Sequence, residues 1–369
     1  MNKITQNLIY LVSKYSNHIY RNCVLSHKKL NMLQTISINN RRYLGNKFKL
    51  LEFIKRTIDC NCDNVNVFAD LFAGTGSVAS AFAPKCKIIT NDILHSSYIS
   101  HLAWFSPEPY DINKIIDYIN RFNSLSTRQR NYMSIYFGDT YFSKEDCSKI
   151  GFIRDIIEND YNQSLINDHE RAILITSLLY AMDNIANTCG HYDAFIKNKK
   201  FYNHLLLKLP VIDERLNPQN EIYNQDINDL APNIYADVVY LDPPYNSRQY
   251  CDCYHLLENV AAWKKPKVYG VARKMDRTAL KSKYCSHNAV NAFEQLIKSI
   301  NARYIVLSYN NMGTKGHDRS NARLTDNDIL AILSDKGSVS IFSQGYKAFA
   351  AGLSRIENNE ERLFLCKVK

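Results

Sequence analysis

The stretch Val238-Val239-Tyr240-Leu241-Asp242-Pro243-Pro244-Tyr245 decides how the chain is read. Its β-branched, apolar opening has the composition of a strand buried on both faces of a parallel sheet. The two prolines end that strand and hold the next residues in a stiff, extended turn. Asp242 is thereby expected at the carboxyl end of a central strand, where open α/β sheets bind their ligands. Pro243 lacks an N–H, but its carbonyl can accept a hydrogen bond. Tyr245 offers a flat ring face beside these two acceptors. Two fixed acceptors and a ring suit a planar heterocycle that carries an exocyclic amino group. The plainer reading is a strand end followed by a tight turn, and the surrounding chain decides between the two.

Upstream, Val65 to Leu71 reads as a strand and Phe72-Ala73-Gly74-Thr75-Gly76-Ser77 as the turn into a helix. Lys87-Ile88-Ile89-Thr90-Asn91-Asp92 is a second strand that ends in an acid. Strand, glycine turn, helix and strand with acid form the first half of a doubly wound sheet. Gly74 and Gly76 let the backbone approach a ligand closely, and Asp92 can accept hydrogen bonds from both hydroxyls of a ribose. The pair predicts a cofactor containing a nucleoside. Gly74-Thr75-Gly76-Ser77-Val78-Ala79 also fits a dinucleotide fingerprint, a weak match by itself. Hydride transfer has no use for the turn at Asp242, whereas amino-group chemistry does. The cofactor is therefore read as S-adenosyl-L-methionine.

The expected fold class is α/β, a doubly wound and mostly parallel sheet with an inserted helical subdomain. Leu50, Leu51, Ile54 and Ile58 share one face of a helix ahead of the first strand. From 106 to 217 the pattern turns helical, with its most apolar helix at Arg171 to Ala186. Strands resume at Ile222 to Asp226, Ala236 to Leu241 and Tyr304 to Tyr309, and near Val339 to Phe342 and Leu363 to Val368. The domains follow: residues 1–40 as a loosely attached extension, 41–105 with 218–369 as the catalytic domain, and 106–217 as the insertion, a candidate recognition subdomain.

The bulk composition is consistent with this division. The chain has 369 residues, 46% hydrophobic, with a mean hydropathy of −0.33. A formal charge of +10 favours a polyanionic partner. No apolar run approaches the roughly 20 residues of a membrane helix. Ten cysteines occur without the C-x-x-C spacing of a zinc site, so they read as free thiols in a reducing cytoplasm, with no metal expected.

Taken together, Arg42-Tyr43-Leu44-Gly45-Asn46-Lys47, Asp70 to Val78, Asn91-Asp92, Asp242 to Tyr250 and Ser308-Tyr309-Asn310 resemble an adenine-specific DNA methyltransferase of the Dam-like, α-ordered group found in restriction–modification systems. The resemblance runs from about residue 41 onward. It implies that Lys47 meets the cofactor carboxylate, that Tyr43 packs beside it, and that Phe72, Gly74 and Gly76 line the methionine end. It implies Asp92 at the ribose, and Asp226 is the candidate for the adenine edge of the cofactor. Double-stranded DNA is the implied partner, and an endonuclease of the same specificity is a further one.

Asp242 and the Pro243 carbonyl would accept the two N–H bonds of the target amine, while the Tyr245 ring face, rather than its hydroxyl, would stack on a base flipped from the duplex. Asp242, Pro243 and Tyr245 are thus the catalytic candidates. Lys265, Lys267, Arg273 and Lys274, in a basic segment running from Lys264 to Lys283, are the candidate phosphate contacts. Two alternatives stay open: methylation of an exocyclic amine in RNA, and a nucleic-acid-binding module without catalysis.

Overall fold

The computed structural model describes residues 34–41, 43–198, 200–213, 215–310, 323–345 and 360–369. Among them, the strands β1 (Val67–Asp70), β2 (Lys87–Asn91), β3 (Glu221–Tyr223), β4 (Tyr235–Leu241), β5 (Asn301–Asn310), β6 (Gly337–Gly345) and β7 (Glu360–Val368) form one sheet in the order β3-β2-β1-β4-β5-β7-β6. Pairing is parallel from β3 to β5. β7 alone is reversed and lies antiparallel between β5 and β6. The strand that carries Asp242 is central, with Asp70 beside Tyr240 on one side and Leu307 beside Leu241 on the other.

Period-two alternation gives each central strand two buried faces. Phe68, Ile88, Val238, Tyr240 and Val306 point to one side, where they meet α1 (Leu51–Asn61) and α2 (Ser77–Phe82). Ala69, Ile89, Val239, Leu241, Ile305 and Leu307 point to the other. There they meet the helical segments Ile227–Leu230, Ala289–Ser299 and Asp326–Lys336.

A third core is built mainly by helices: α3 (His95–Phe105), α4 (Ile112–Ser124), α5 (Tyr132–Tyr136), α6 (Lys144–Asn162), α7 (Asp168–Ile185), and the pair α8 (Tyr250–Cys253) and α9 (His255–Ala262) that follows the prolines. α7 is buried on nearly every side from Ala172 to Met182, as befits the centre of a layer. Glu258 of α9 accepts the His95 and Ser96 N–H groups, both at 2.8 Å, and so caps the amino end of α3. Arg154 of α6 is fully buried and donates to the Val260 and Ala261 carbonyls at the end of α9.

Two expected boundaries need correction. The segment 106–217 is helical, but it shares its core with α3 and α9, so the apolar interior is not divided there. Residues 34–40 also belong to the body. Thr35–Ile36 pairs in parallel with Leu209–Pro210, Ile36 is buried, and Tyr180 donates to the Ile38 carbonyl. The remainder of the expected extension, residues 1–33, lies outside the described residues, as does Arg42.

Candidate active site

The loop after β1 is shaped by two glycines in the left-handed region, Gly74 at φ +54° and Gly76 at φ +81°. A Cβ on Gly74 would lie 3.2 Å from the Tyr43 ring, and one on Gly76 would lie 2.9 Å from Phe105. Either methyl would meet a packed aromatic group in addition to the unfavourable backbone conformation. Asp92 fastens the loop to the end of β2: its Oδ2 accepts the Gly74 N–H at 2.8 Å and its Oδ1 the Leu94 N–H at 2.8 Å. Burial pushes its carboxyl up to about 7. His101 of α3, which no sequence motif marked, holds the Gly74 carbonyl through Nε2 at 3.0 Å.

Tyr43 lies beneath this loop, stacked on Tyr254 with centroids 4.5 Å apart. Two hydroxyls fix the backbone just ahead of Lys47. Leu44 N–H donates to Tyr254 at 2.8 Å, and Tyr250 donates to the Leu44 carbonyl at 3.2 Å. The helices following the Asp-Pro-Pro-Tyr turn therefore position the Tyr43 to Lys47 segment, a dependence invisible to local sequence.

Lys47 lies among acids, on the wall of the same crevice as the glycine loop. Its Nζ donates to Asp242 Oδ1 at 2.8 Å, sits 2.7 Å from Oδ2, and donates to the Tyr245 hydroxyl at 2.6 Å. Glu361 Oε1 of β7 is 3.6 Å away and accepts a 2.7 Å bond from Ser308 of β5. Burial draws the Lys47 ammonium down, but Asp242 and then Glu361 raise it above its ordinary value. Burial also pushes the Asp242 carboxyl up to about 6, against the pull of Lys47. The Tyr245 hydroxyl is therefore engaged within the chain. The Tyr245 ring packs edge-on against Tyr309, and the Tyr245 carbonyl is held by the Arg323 N–H. Pro243 is buried.

A crevice runs from the glycine loop to Asp242 and holds about 1000 Å³ of space, solvent at its mouth included, which is ample for a nucleoside. Tyr43, Lys47, Phe72, Gly74, Asp92, Asp226 and Asp242 line it together. Gly76 caps α2 just behind the wall. Asp226 is already engaged: it accepts the Asn228 N–H and pairs with Lys283 at 3.0 Å. Phe72 packs edge-on against Tyr284. Asp70, at the end of β1 and the start of the glycine motif, faces the crevice as well. One of its oxygens has no partner although the residue is buried, and burial together with Asp242 pushes its carboxyl up to about 8. A cradle with no room for Cβ atoms, a carboxylate at the second strand end and an orphaned buried oxygen fit S-adenosyl-L-methionine. Asp92 can hold its ribose, and Asp70 can receive its α-ammonium.

Of the four candidate phosphate contacts, Lys265, Lys267 and Arg273 are exposed. Arg273 sits on the loop of a small hairpin closed by reciprocal Tyr269–Lys274 bonds. Lys265 and Lys274 are engaged within the chain. Lys274 is half-buried and pairs with Asp193 at 2.7 Å, and Lys265 pairs with Asp155 at 2.6 Å beside the Trp263 ring.

Helices on both faces of a sheet with one reversed strand, and a nucleoside-sized crevice at its switch point, place the chain among proteins with a Rossmann-like methyltransferase fold. Sequence comparison narrows the class. Residues 43–316 match the D12 class N6 adenine-specific DNA methyltransferases, and the chain belongs to that family. It is 38% identical over 290 residues to the modification methylase StsI of Streptococcus sanguinis, a match covering 74% of this chain and 44% of that protein. Against the type II methyltransferase M.FokI of Planomicrobium okeanokoites it is 37% identical over 290 residues, 74% of this chain and 45% of the relative. Against the type II methyltransferase M.NlaIII of Neisseria lactamica the figures are 36% over 284 residues, 73% and 84%. The chain thus spans a little under half of the first two relatives and most of the third.

Proposed function

We propose that the chain transfers a methyl group from S-adenosyl-L-methionine to the N6 amino group of adenine in double-stranded DNA, at a site shared with a restriction endonuclease. The observation that carries this reading is Asp242 at the end of the central strand, in one crevice with the glycine loop and Asp92. The bound cofactor supplies an electrophilic methyl. The chain's task is to present a nucleophile in line and to keep water out. Adenine N6 is a poor nucleophile because its lone pair is delocalised into the ring. Asp242 and the Pro243 carbonyl accept its two N–H bonds, which favours a pyramidal nitrogen and stabilises the positive charge that develops on it. Extruding the base from the duplex costs a few kcal/mol, and stacking on Tyr245 returns roughly 1–3 kcal/mol. Asp242 then lies within reach of the proton that the methylated nitrogen sheds.

The test is incubation with labelled S-adenosyl-L-methionine and unmethylated duplex DNA, followed by sequencing that detects N6-methyladenine. Label at a defined adenine, absent with Asp242→Ala, is the expected result. Label in RNA alone, or none with either polymer, would refute the reading.

A further inference from the structure

One positive charge and two negative ones are sealed together beneath the turn. Lys47 and Glu361 are each only 5% exposed, and Ser308 is fully buried. Lys47 contacts both oxygens of Asp242, at 2.8 and 2.7 Å, so that pair is electrically neutral by itself. A neutral pair is a poor partner for a nitrogen that becomes positive during reaction. An ammonium fully seated on Asp242 also competes for the lone pairs the target amine requires. Glu361 changes the first of these. It lies 3.6 Å from Nζ, farther than Asp242, and adds a second negative charge, so that the cluster is net negative. Its own place is set by the Ser308 hydroxyl at 2.7 Å, across the β5–β7 pairing in which Ser308 opposes Leu363 and Asn310 opposes Glu361. Glu361 lies beyond residues 43–316, the part matched by the family.

We propose that Glu361 is a positioning residue for methyl transfer: acting through Lys47, it keeps the Asp242–Lys47 pair from being neutral overall, so that the cluster stays negative beside the target amine as that amine becomes positive. The proposal rests on the reading of Asp242 as the acceptor of that amine. Glu361 also raises the Asp242 carboxyl, which is faced in addition by Asp70 of β1 and by the phenols of Tyr240, Tyr245 and Tyr250. Removing the Glu361 charge therefore has two effects of opposite appearance. The plateau rate falls, while the acid limb of the pH profile moves to lower pH because Asp242 ionises more readily.

Single-turnover methylation with saturating duplex DNA and S-adenosyl-L-methionine is measured across pH for Glu361→Gln, Glu361→Asp and Ser308→Ala. The Asp242 carboxyl is titrated in parallel by carbon-13 NMR in the cofactor-free proteins. The expected result for Glu361→Gln is a plateau rate lower on the order of tenfold, with little change in KM for either substrate. Its acid limb and its Asp242 titration both move down. Glu361→Asp restores most of the rate, and Ser308→Ala shifts both readouts in the same direction but less. A folded Glu361→Gln protein with unmoved rate and titration overturns the proposal. Should that variant not fold, Ser308→Ala decides alone, and its equality with the wild type overturns the proposal too. A wild-type protein that methylates no adenine overturns instead the functional reading beneath it.

Discussion

Asp242 has both oxygens committed to one ammonium in the cofactor-free protein, so the target amine must share them with Lys47. Asp242→Ala removes the acceptor and leaves the glycine loop intact. The expected loss is at least about 10²–10³ in single-turnover rate, with duplex binding retained in a gel-shift titration. Acid should act in the same direction, because the Asp242 carboxyl sits at about 6 and the accepting form disappears as pH falls through that value. Tyr245 separates two contributions: Tyr245→Ala loses the ring and the hydroxyl, Tyr245→Phe only the 2.6 Å bond to Lys47. Phe is therefore expected to retain more rate than Ala but less than the wild type, a ranking that rate measurements on the two variants would check. The Asp-Pro-Pro-Tyr turn was legible because its proton acceptors and its stiffening prolines are consecutive. The bond from Lys47 was not, since 195 positions separate it from Asp242, and His101 beneath the glycine loop carried no signal beyond a polar residue on an apolar helix.

At the scale of elements, helices and strands were readable from periodicity, while what lay between them was not. The strand at 67–70, the glycine turn and the acid after 87–91 follow from apolar runs bounded by turn residues. The division at 106–217 failed because periodicity reports that a helix has an apolar face, not which partner covers it. α7, apolar on nearly every side, was the hint that this layer has a buried centre. The basic segment divides similarly. Neutralising Lys267 and Arg273 should lower the log–log salt dependence of DNA binding by roughly one unit for each phosphate these cations neutralise in the complex. Lys274→Gln is expected to act on stability instead, since it leaves Asp193 without its cation, and thermal unfolding would separate the two behaviours. Arg154→Met should also destabilise, by about 1–3 kcal/mol in urea unfolding, because the carbonyls ending α9 lose their buried donor.

For the whole molecule, holding several acids in one crevice couples stability to pH. Asp70 titrates at about 8 in the folded chain, against an ordinary 3.8. Across the interval between those values the folded state holds a proton that the unfolded state has released, so stability falls as pH rises. His101 and His255 act in the opposite sense: burial lowers them to about 4, so their contribution grows with pH until the unfolded histidines have discharged near 6.5. Above that point the acids dominate. Unfolding free energy should decline from about pH 6.5 to about pH 8, and Asp70→Asn should flatten the decline. The sheet order carries a separate consequence. β7 follows both β5 and β6 in the chain, yet it occupies an interior position between them. A chain still on the ribosome has therefore made both neighbours before it has made the piece that joins them. During that interval β5 and β6 each present an open row of backbone donors and acceptors, the form in which nascent chains stick to one another. Translation speed over β7, and chaperone cover until it docks, should thus govern how much of this protein reaches its native state in a cell.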